Sequence, residues 1–301
     1  MKVMCIGQAA YDITIPMASF PEENKKIRFD ERIECGGGSS SNCAYLLSKW
    51  KMNTYFAGAV GNDYYGDVIK KEFEDIGVNT KYLKIDKNSK TAASYIIANT
   101  SKGTRTIMAN RPEELNIDDL DPQEEDFTHI LVDGYDATFV KKMFQKNPQA
   151  IKIIDAGSLK EDTVELCHLV DYIVCSKDFA ESYTDVKINP SDVTTLIKAY
   201  QKLKEDFKAQ IVITLESYGS FTYFEDNYYL VPSIKVKAVD STGAGDIYHG
   251  AFTYFLANGK PLLEIMKLAN ITGALSVSKI GGRFSIPLLD EVIKTNHDFE
   301  S

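Results

Sequence analysis

Seven consecutive residues, Asp240-Ser-Thr-Gly-Ala-Gly-Asp246, combine two chemistries. A Gly-Ala-Gly turn brings backbone N–H groups close to an anion, whereas an aspartate accepts protons and repels anions. Ser241 or Thr242 can cap a helix that runs through Ile247, Ala251, Tyr254 and Phe255 and ends at Asn258-Gly259. Gly243, Ala244 and Gly245 then lie at a helix N-terminus, where unpaired N–H groups and the helix dipole attract a phosphate. Asp246 falls in the first turn. The same residues also suit an ordinary capped helix with an acidic first turn. The stretch is neither a dinucleotide-binding fingerprint, because Tyr248 stands where a third glycine belongs, nor a P-loop.

Two further stretches carry polar chemistry. In ECGGGSSSNCAYLLSKW, Gly37 and Gly38 permit close backbone approach and Asn42 offers a donor and an acceptor, which suits a neutral polyhydroxyl ligand as well as a simple helix cap. In GQAAYD, Asp12 follows the first strand. A carboxylate there can accept hydroxyl hydrogen bonds, or serve as a turn residue.

Elements that could hold these residues follow from patterning. Apolar runs VMCI, TYFAGAV, HILVDG, IKIIDAG, DYIVCS and QIVITLE read as strands buried on both faces. Several end in polar residues (Asp133, Asp155, Ser176, Glu216), where open α/β sheets bind ligands. Between them, YYGDVIKKEFEDIG sets Tyr65, Ile69, Phe73 and Ile76 on one helical face, stopped by Gly77. SDVTTLIKAYQKLKEDF predicts a helix opened by Ser191. This alternation predicts an α/β fold, a mostly parallel central sheet with helices on both faces. KKIRFDERIEC alternates, with Ile27, Phe29, Ile33 and Cys35 on one side, and SYIIANTSKGTRTIMAN reads as a hairpin turning at Ser101-Lys102-Gly103. These predict a separate small sheet, a lid or a dimer contact, with strands inserted at about 13–35 and 91–111 of a single 1–301 domain.

The totals narrow the partners. The chain has 301 residues, 44% hydrophobic and 26% charged, with a formal charge of −9, which argues against nucleic acid. MKVMCIGQAAYD turns polar too soon for a signal peptide, and no apolar run is long enough to span a membrane. The five cysteines include no C-x-x-C pair and read as reduced, packed thiols of a cytoplasmic protein. The four histidines form no zinc motif.

AGAVGNDYYGDVIKKEFEDIGV and DSTGAGDIYHGAF resemble the two signature regions of the ribokinase-like (PfkB) carbohydrate kinases, and CGGGSSSN resembles that family's glycine pair followed by asparagine. The resemblance runs from the first strand to GGRFSIPLLDEV. It implies ATP-dependent, Mg2+-assisted phosphoryl transfer to a sugar hydroxyl. Asp246 would be the catalytic base, Gly243-Ala244-Gly245 the anion hole, and Asp12, Gly37, Gly38 and Asn42 the sugar site. Thr214, Glu216 and Gly219, in a loop like the family's nucleotide loop, and Asn270 in the flanking helix would meet the nucleotide. Asp240 and Thr242 fall at positions linked to an activating potassium ion, and the lid strands match those that pair two subunits as a homodimer. Two departures stand out. The family's N-x-x-E is replaced by Ser176-Lys177-Asp178-Phe179, for which Asp178 or Glu181 would have to substitute, and Glu216 replaces a glycine. VCSKDFAESY and GGRFSIP lean toward the ketohexokinase- and fructokinase-like branch, hence a ketose. The alternatives are a nucleoside kinase, with Tyr11 or Phe29 stacking on the base, and a catalytically silent sensor.

Overall fold

The computed structural model describes residues 1–123 and 125–300. Thirteen strands form two sheets. The strands are β1 (Lys2–Ile6), β2 (Ala10–Met17), β3 (Ile33–Gly37), β4 (Asn53–Gly61), β5 (Asn79–Asp86), β6 (Ala93–Asn99), β7 (Thr104–Asn110), β8 (His129–Val132), β9 (Ile151–Ala156), β10 (Tyr172–Ser176), β11 (Gln210–Thr214), β12 (Ser220–Phe224) and β13 (Asn227–Val231). Nine of them make a large sheet in the order β13-β12-β11-β10-β9-β8-β1-β4-β5. Every pair from β11 to β5 is parallel, and β12 and β13 add an antiparallel hairpin at one edge. The other four form a small sheet, β3-β2-β6-β7.

The described residues also form ten helices, most of them against the large sheet: α1 (Ser39–Lys49), α2 (Tyr64–Ile76), α3 (Ala137–Lys146), α4 (Glu161–Cys167), α5 (Lys177–Thr184), α6 (Val193–Asp206), α7 (Ala244–Ala257), α8 (Leu262–Ser276), the single turn α9 (Gly282–Ser285) and α10 (Leu289–Glu300). Successive side chains of a strand point to opposite faces. Met4 and Ile6 therefore join one core with Phe139, Phe179 and Leu196, while Val3 and Cys5 join the other with Leu47, Phe73 and Phe252. The fully buried Ile69 and Phe73 anchor α2, each contributing about 2–3 kcal/mol. Gly77, in the left-handed region at φ 91°, ends that helix.

Several expectations change. KKIRFDERIEC is a strand only from Ile33 onward, and Ile27 and Phe29 are exposed (41% and 48%) rather than packed in a common face. Alternation alone could not say that this segment lacks a strand to pair with. Asp12 lies within β2, not in a loop. Asp192, not Ser191, caps α6, its side chain accepting from Thr194 N. Strands β5, β12 and β13 carry mixed polar and apolar residues and give no buried-strand signal.

Candidate active site

The DSTGAGD turn meets α7 with Gly243 as its N-cap, at φ 72°. Neither Ser241 nor Thr242 caps it. The Thr242 hydroxyl and N–H instead donate to Asp240 Oδ1 at 2.6 and 2.9 Å, and Gly281 N donates to Asp240 Oδ2 at 2.9 Å. The buried Asp240 carboxylate thus braces the turn against the segment before α9. The left-handed geometry at residue 243 favours glycine, because a Cβ there strains the backbone. Nothing lies within 4 Å of where a Gly245 Cβ would stand, so the first turn of α7 opens onto free space. The first N–H groups of a helix have no partner within it, and Ala244 N makes only a long 3.4 Å contact to Ser241 O.

Asp246 sits in this first turn. Burial raises its pKa, while Asn42, His249 and Arg105 oppose the rise. Asn42 Nδ2 donates to Asp246 Oδ2 at 2.8 Å, across 204 residues of chain. Asn42 is itself held, since Arg283 Nε donates to its Oδ1 at 3.4 Å. Arg283 is 3% exposed and also bonds Ser41 Oγ and pairs with Glu72, which accepts from Gly36 N at 3.0 Å. A chain of contacts, Glu72–Arg283–Asn42–Asp246, buried at its two middle members, therefore joins α2, α9, α1 and α7. Sequence reasoning missed Arg283 and Glu72. An arginine after two glycines reads as a loop residue, and only the tertiary packing buries it.

Asp12 is 6% exposed, and its carboxyl is pushed up to about 6 by burial. Ser94 hydrogen bonding and Arg283 oppose the rise; Asp246 and Asp240 add to it. A Cβ on Gly37 would collide with the Asp12 carboxylate, and one on Gly38, at φ 95°, with Gln8 O. The glycine pair thus lets β3 close on β2 and the start of α1 close on the segment between β1 and β2. The structure brings Asp12, Gly37, Gly38, Asn42 and Asp246 to one place.

The remaining predicted residues lie further along the sheet. Thr214 ends β11, and its hydroxyl donates to Cys175 O at 3.2 Å. Glu216 opens a short 3-10 turn at φ 53°, and Gly219, at φ 101°, lies so close to Val231 O that a Cβ would clash. Asn270 Nδ2 donates to Ser220 Oγ and Val231 O at 3.1 and 2.9 Å, tying α8 to the edge hairpin. The Glu181 carboxylate accepts from Ile188 N at 2.8 Å and from Lys187 Nζ at 3.1 Å. Ser176 Oγ accepts from Phe179 N as the cap of α5. Among the described residues no group of three or more His, Cys, Asp or Glu side chains forms a metal cage.

The small sheet reaches this site. The β6–β7 turn packs at Gly103 against Ala238, and Arg105 Nη1 donates to Ser241 Oγ at 2.9 Å. Tyr11 is not available to stack on a ligand. It is 3% exposed, stacks on Tyr65 at 4.2 Å, and donates to Glu34 Oε2 at 2.9 Å.

The model of the pfkB family carbohydrate kinases matches residues 1–289. The chain is 25% identical to a ribokinase of Staphylococcus aureus, over 97% of this chain and 98% of the relative. It is 22% identical to a nucleoside kinase of Methanocaldococcus jannaschii, over 97% of this chain and 96% of the relative. The solved structure of Arabidopsis thaliana ribokinase complexed with ribose and ATP superposes with a TM-score of 0.79 at 22% identity, over 97% of each chain.

Proposed function

The chain belongs to the pfkB family of carbohydrate kinases, and we propose that it transfers the γ-phosphoryl group of ATP to a hydroxyl of a small free sugar, with Asp246 accepting the hydroxyl proton. The observation that carries this reading is the partly buried Asn42–Asp246 contact beside the open first turn of α7. It fixes a proton acceptor next to backbone N–H groups that can meet an anion. A sensor protein has no use for that pairing.

The two jobs fall to different atoms. The N–H groups of the Gly243–Gly245 turn stabilise negative charge on the transferring group, a preorganised arrangement that needs no reorientation during reaction. The Asp246 carboxylate orients the attacking hydroxyl and takes its proton as the new bond forms. Asp12 and the glycine pair hold the sugar's other hydroxyls. Thr214, Glu216, Gly219 and Asn270 border the nucleotide, and Arg105 brings a positive charge to the phosphate end. Mg2+ bound together with the nucleotide would supply charge neutralisation at the phosphate oxygens, with few ligands from the protein itself. No step is assigned to potassium, since three donors already engage the Asp240 carboxylate.

A sugar is favoured over a nucleoside because Tyr11 is already committed to Tyr65 and Glu34 and Phe29 points to solvent. The similarity to ribokinases puts a pentose first among acceptors. The ketose suggested by VCSKDFAESY and GGRFSIP comes second, since the relatives named above are a nucleoside kinase and ribokinases. The five unpaired, buried cysteines agree with a reducing compartment, the cytoplasm. Tyr95 and Met108, paired across β6 and β7, are 46% and 52% exposed on one face of the small sheet, an apolar pair suited to a second copy of the chain. Light scattering across a dilution series tests that dimer, and a monomer throughout would remove it.

ADP release measured against pentoses, ketoses and nucleosides tests the activity. Turnover with a free sugar is expected. Turnover with nucleosides alone would reassign the acceptor, and sugar binding without turnover would make the protein a sensor.

A further inference from the structure

His249 lies one turn beyond Asp246 on α7, 3% exposed, and no role has yet been given to it. Its ring meets only acceptors. Nδ1 is 2.6 Å from the Gly245 carbonyl oxygen. Nε2 is 3.0 Å from the Val174 carbonyl oxygen on β10 and 3.3 Å from Asp155 Oδ1 at the end of β9. Carbonyl oxygens cannot donate, so a short contact to Gly245 requires a proton on Nδ1. The remaining proton must lie between Nε2 and Asp155, and the Val174 oxygen favours it on the ring.

We propose that His249 and Asp155 form a buried positioning pair, sharing one proton, that holds and polarises the Gly245–Asp246 peptide of the anion hole. The inference rests on the kinase reading above. A trans peptide is planar, with its C=O and N–H pointing opposite ways. A donor on the Gly245 oxygen therefore strengthens the Asp246 N–H on the far side, toward the open turn. The same contacts pin the first turn of α7 to the end of β9 and the middle of β10, so the N–H groups keep their register with the sheet.

The surroundings make the pair necessary. Asp155 is 6% exposed, and burial pushes its carboxyl up to about 7, with Asp246 and Asp133 adding to the rise and His249 and Lys160 opposing it. Arg105 faces Asp246 from the small sheet. Without the imidazole, Asp155 would be a buried carboxyl among other carboxylates, and Gly245 would lose its side-chain donor. Neither His249 nor Asp155 touches the proposed substrates; both act through the Gly245–Asp246 peptide.

Two measurements on the full chain test this. Nitrogen-15 spectra of histidine-labelled protein at pH 7, assigned by loss of the signal in His249→Gln, should show a directly bonded proton on each ring nitrogen. Either nitrogen without a proton overturns the pair. Steady-state kinetics of His249→Gln and Asp155→Asn should show kcat lowered at least tenfold with the acceptor KM within threefold of wild type. A kcat within twofold of wild type for both variants overturns the positioning role, as does a matching loss confined to KM. If the unaltered protein phosphorylates no acceptor, the kinase reading fails on its own, and the spectra still decide whether the pair exists.

Discussion

Replacing Asp12 by asparagine separates what the carboxylate costs from what it does. Burial moves its titration from 3.8 to about 6, and a difference of one pH unit is worth about 1.4 kcal/mol. The folded chain holds the Asp12 proton longer than the unfolded chain does. Stability from the neutral carboxyl is therefore full below the unfolded value and lost as pH rises through 6. At pH 8 the ionised group costs about 3 kcal/mol, and near pH 4.5 about 1 kcal/mol. Asparagine keeps the shape and can bond Ser94 but carries no charge. The Asp12→Asn variant should therefore be more stable than wild type by about 3 kcal/mol at pH 8, and the gain should shrink to about 1 kcal/mol near pH 4.5. Urea unfolding at the two pH values measures this. The proposed role requires the reverse in function, an acceptor KM raised about tenfold or more with the ATP KM unchanged, because each lost hydrogen bond to a charged group is worth about 1.5–3 kcal/mol. A variant less stable than wild type at pH 8, or a gain that does not shrink in acid, would refute the reasoning.

Asp246→Asn should lower kcat by about 10²- to 10⁴-fold, the range of a general base, with the ATP KM within threefold, read by ADP release. Arg283→Met should destabilise the protein by about 2–3 kcal/mol, below the range of a fully buried pair, because it leaves the partly buried Glu72 carboxylate with only the Gly36 N–H; adding Glu72→Gln should recover part of that loss in urea unfolding. Gly243→Ala should cost about 1–2 kcal/mol from its left-handed backbone, and should lower kcat, since relief of that strain at φ 72° would shift the N–H groups of the turn; the new Cβ itself meets nothing closer than 3.5 Å. Arg105→Gln should change stability by less than about 0.5 kcal/mol, while raising the ATP KM in initial-rate measurements.

The central strands β1, β4, β8, β9, β10 and β11 were legible because each is a continuous apolar run, as burial on both faces demands. Helix α2 was legible to its last residue, since Gly77 stops an apolar stripe. Strands β5, β12 and β13 were not, because near the edges of the large sheet their polar and apolar residues mix and look like loop. Of the site, the sequence alone determined the residue types: a glycine turn before an aspartate, a glycine pair before an asparagine, an aspartate after the first strand. Those stretches carry their own local geometry, so their chemistry can be read in order along the chain. Only the tertiary structure decided which of them meet. Asn42 and Asp246 touch because α1 and α7 pack on the same face of the sheet. Arg283, Glu72, Asp155 and His249 matter only because burial removes water as an alternative partner, leaving each polar atom to find one within the protein. That accounting spans the whole fold, and no local pattern in the chain records it.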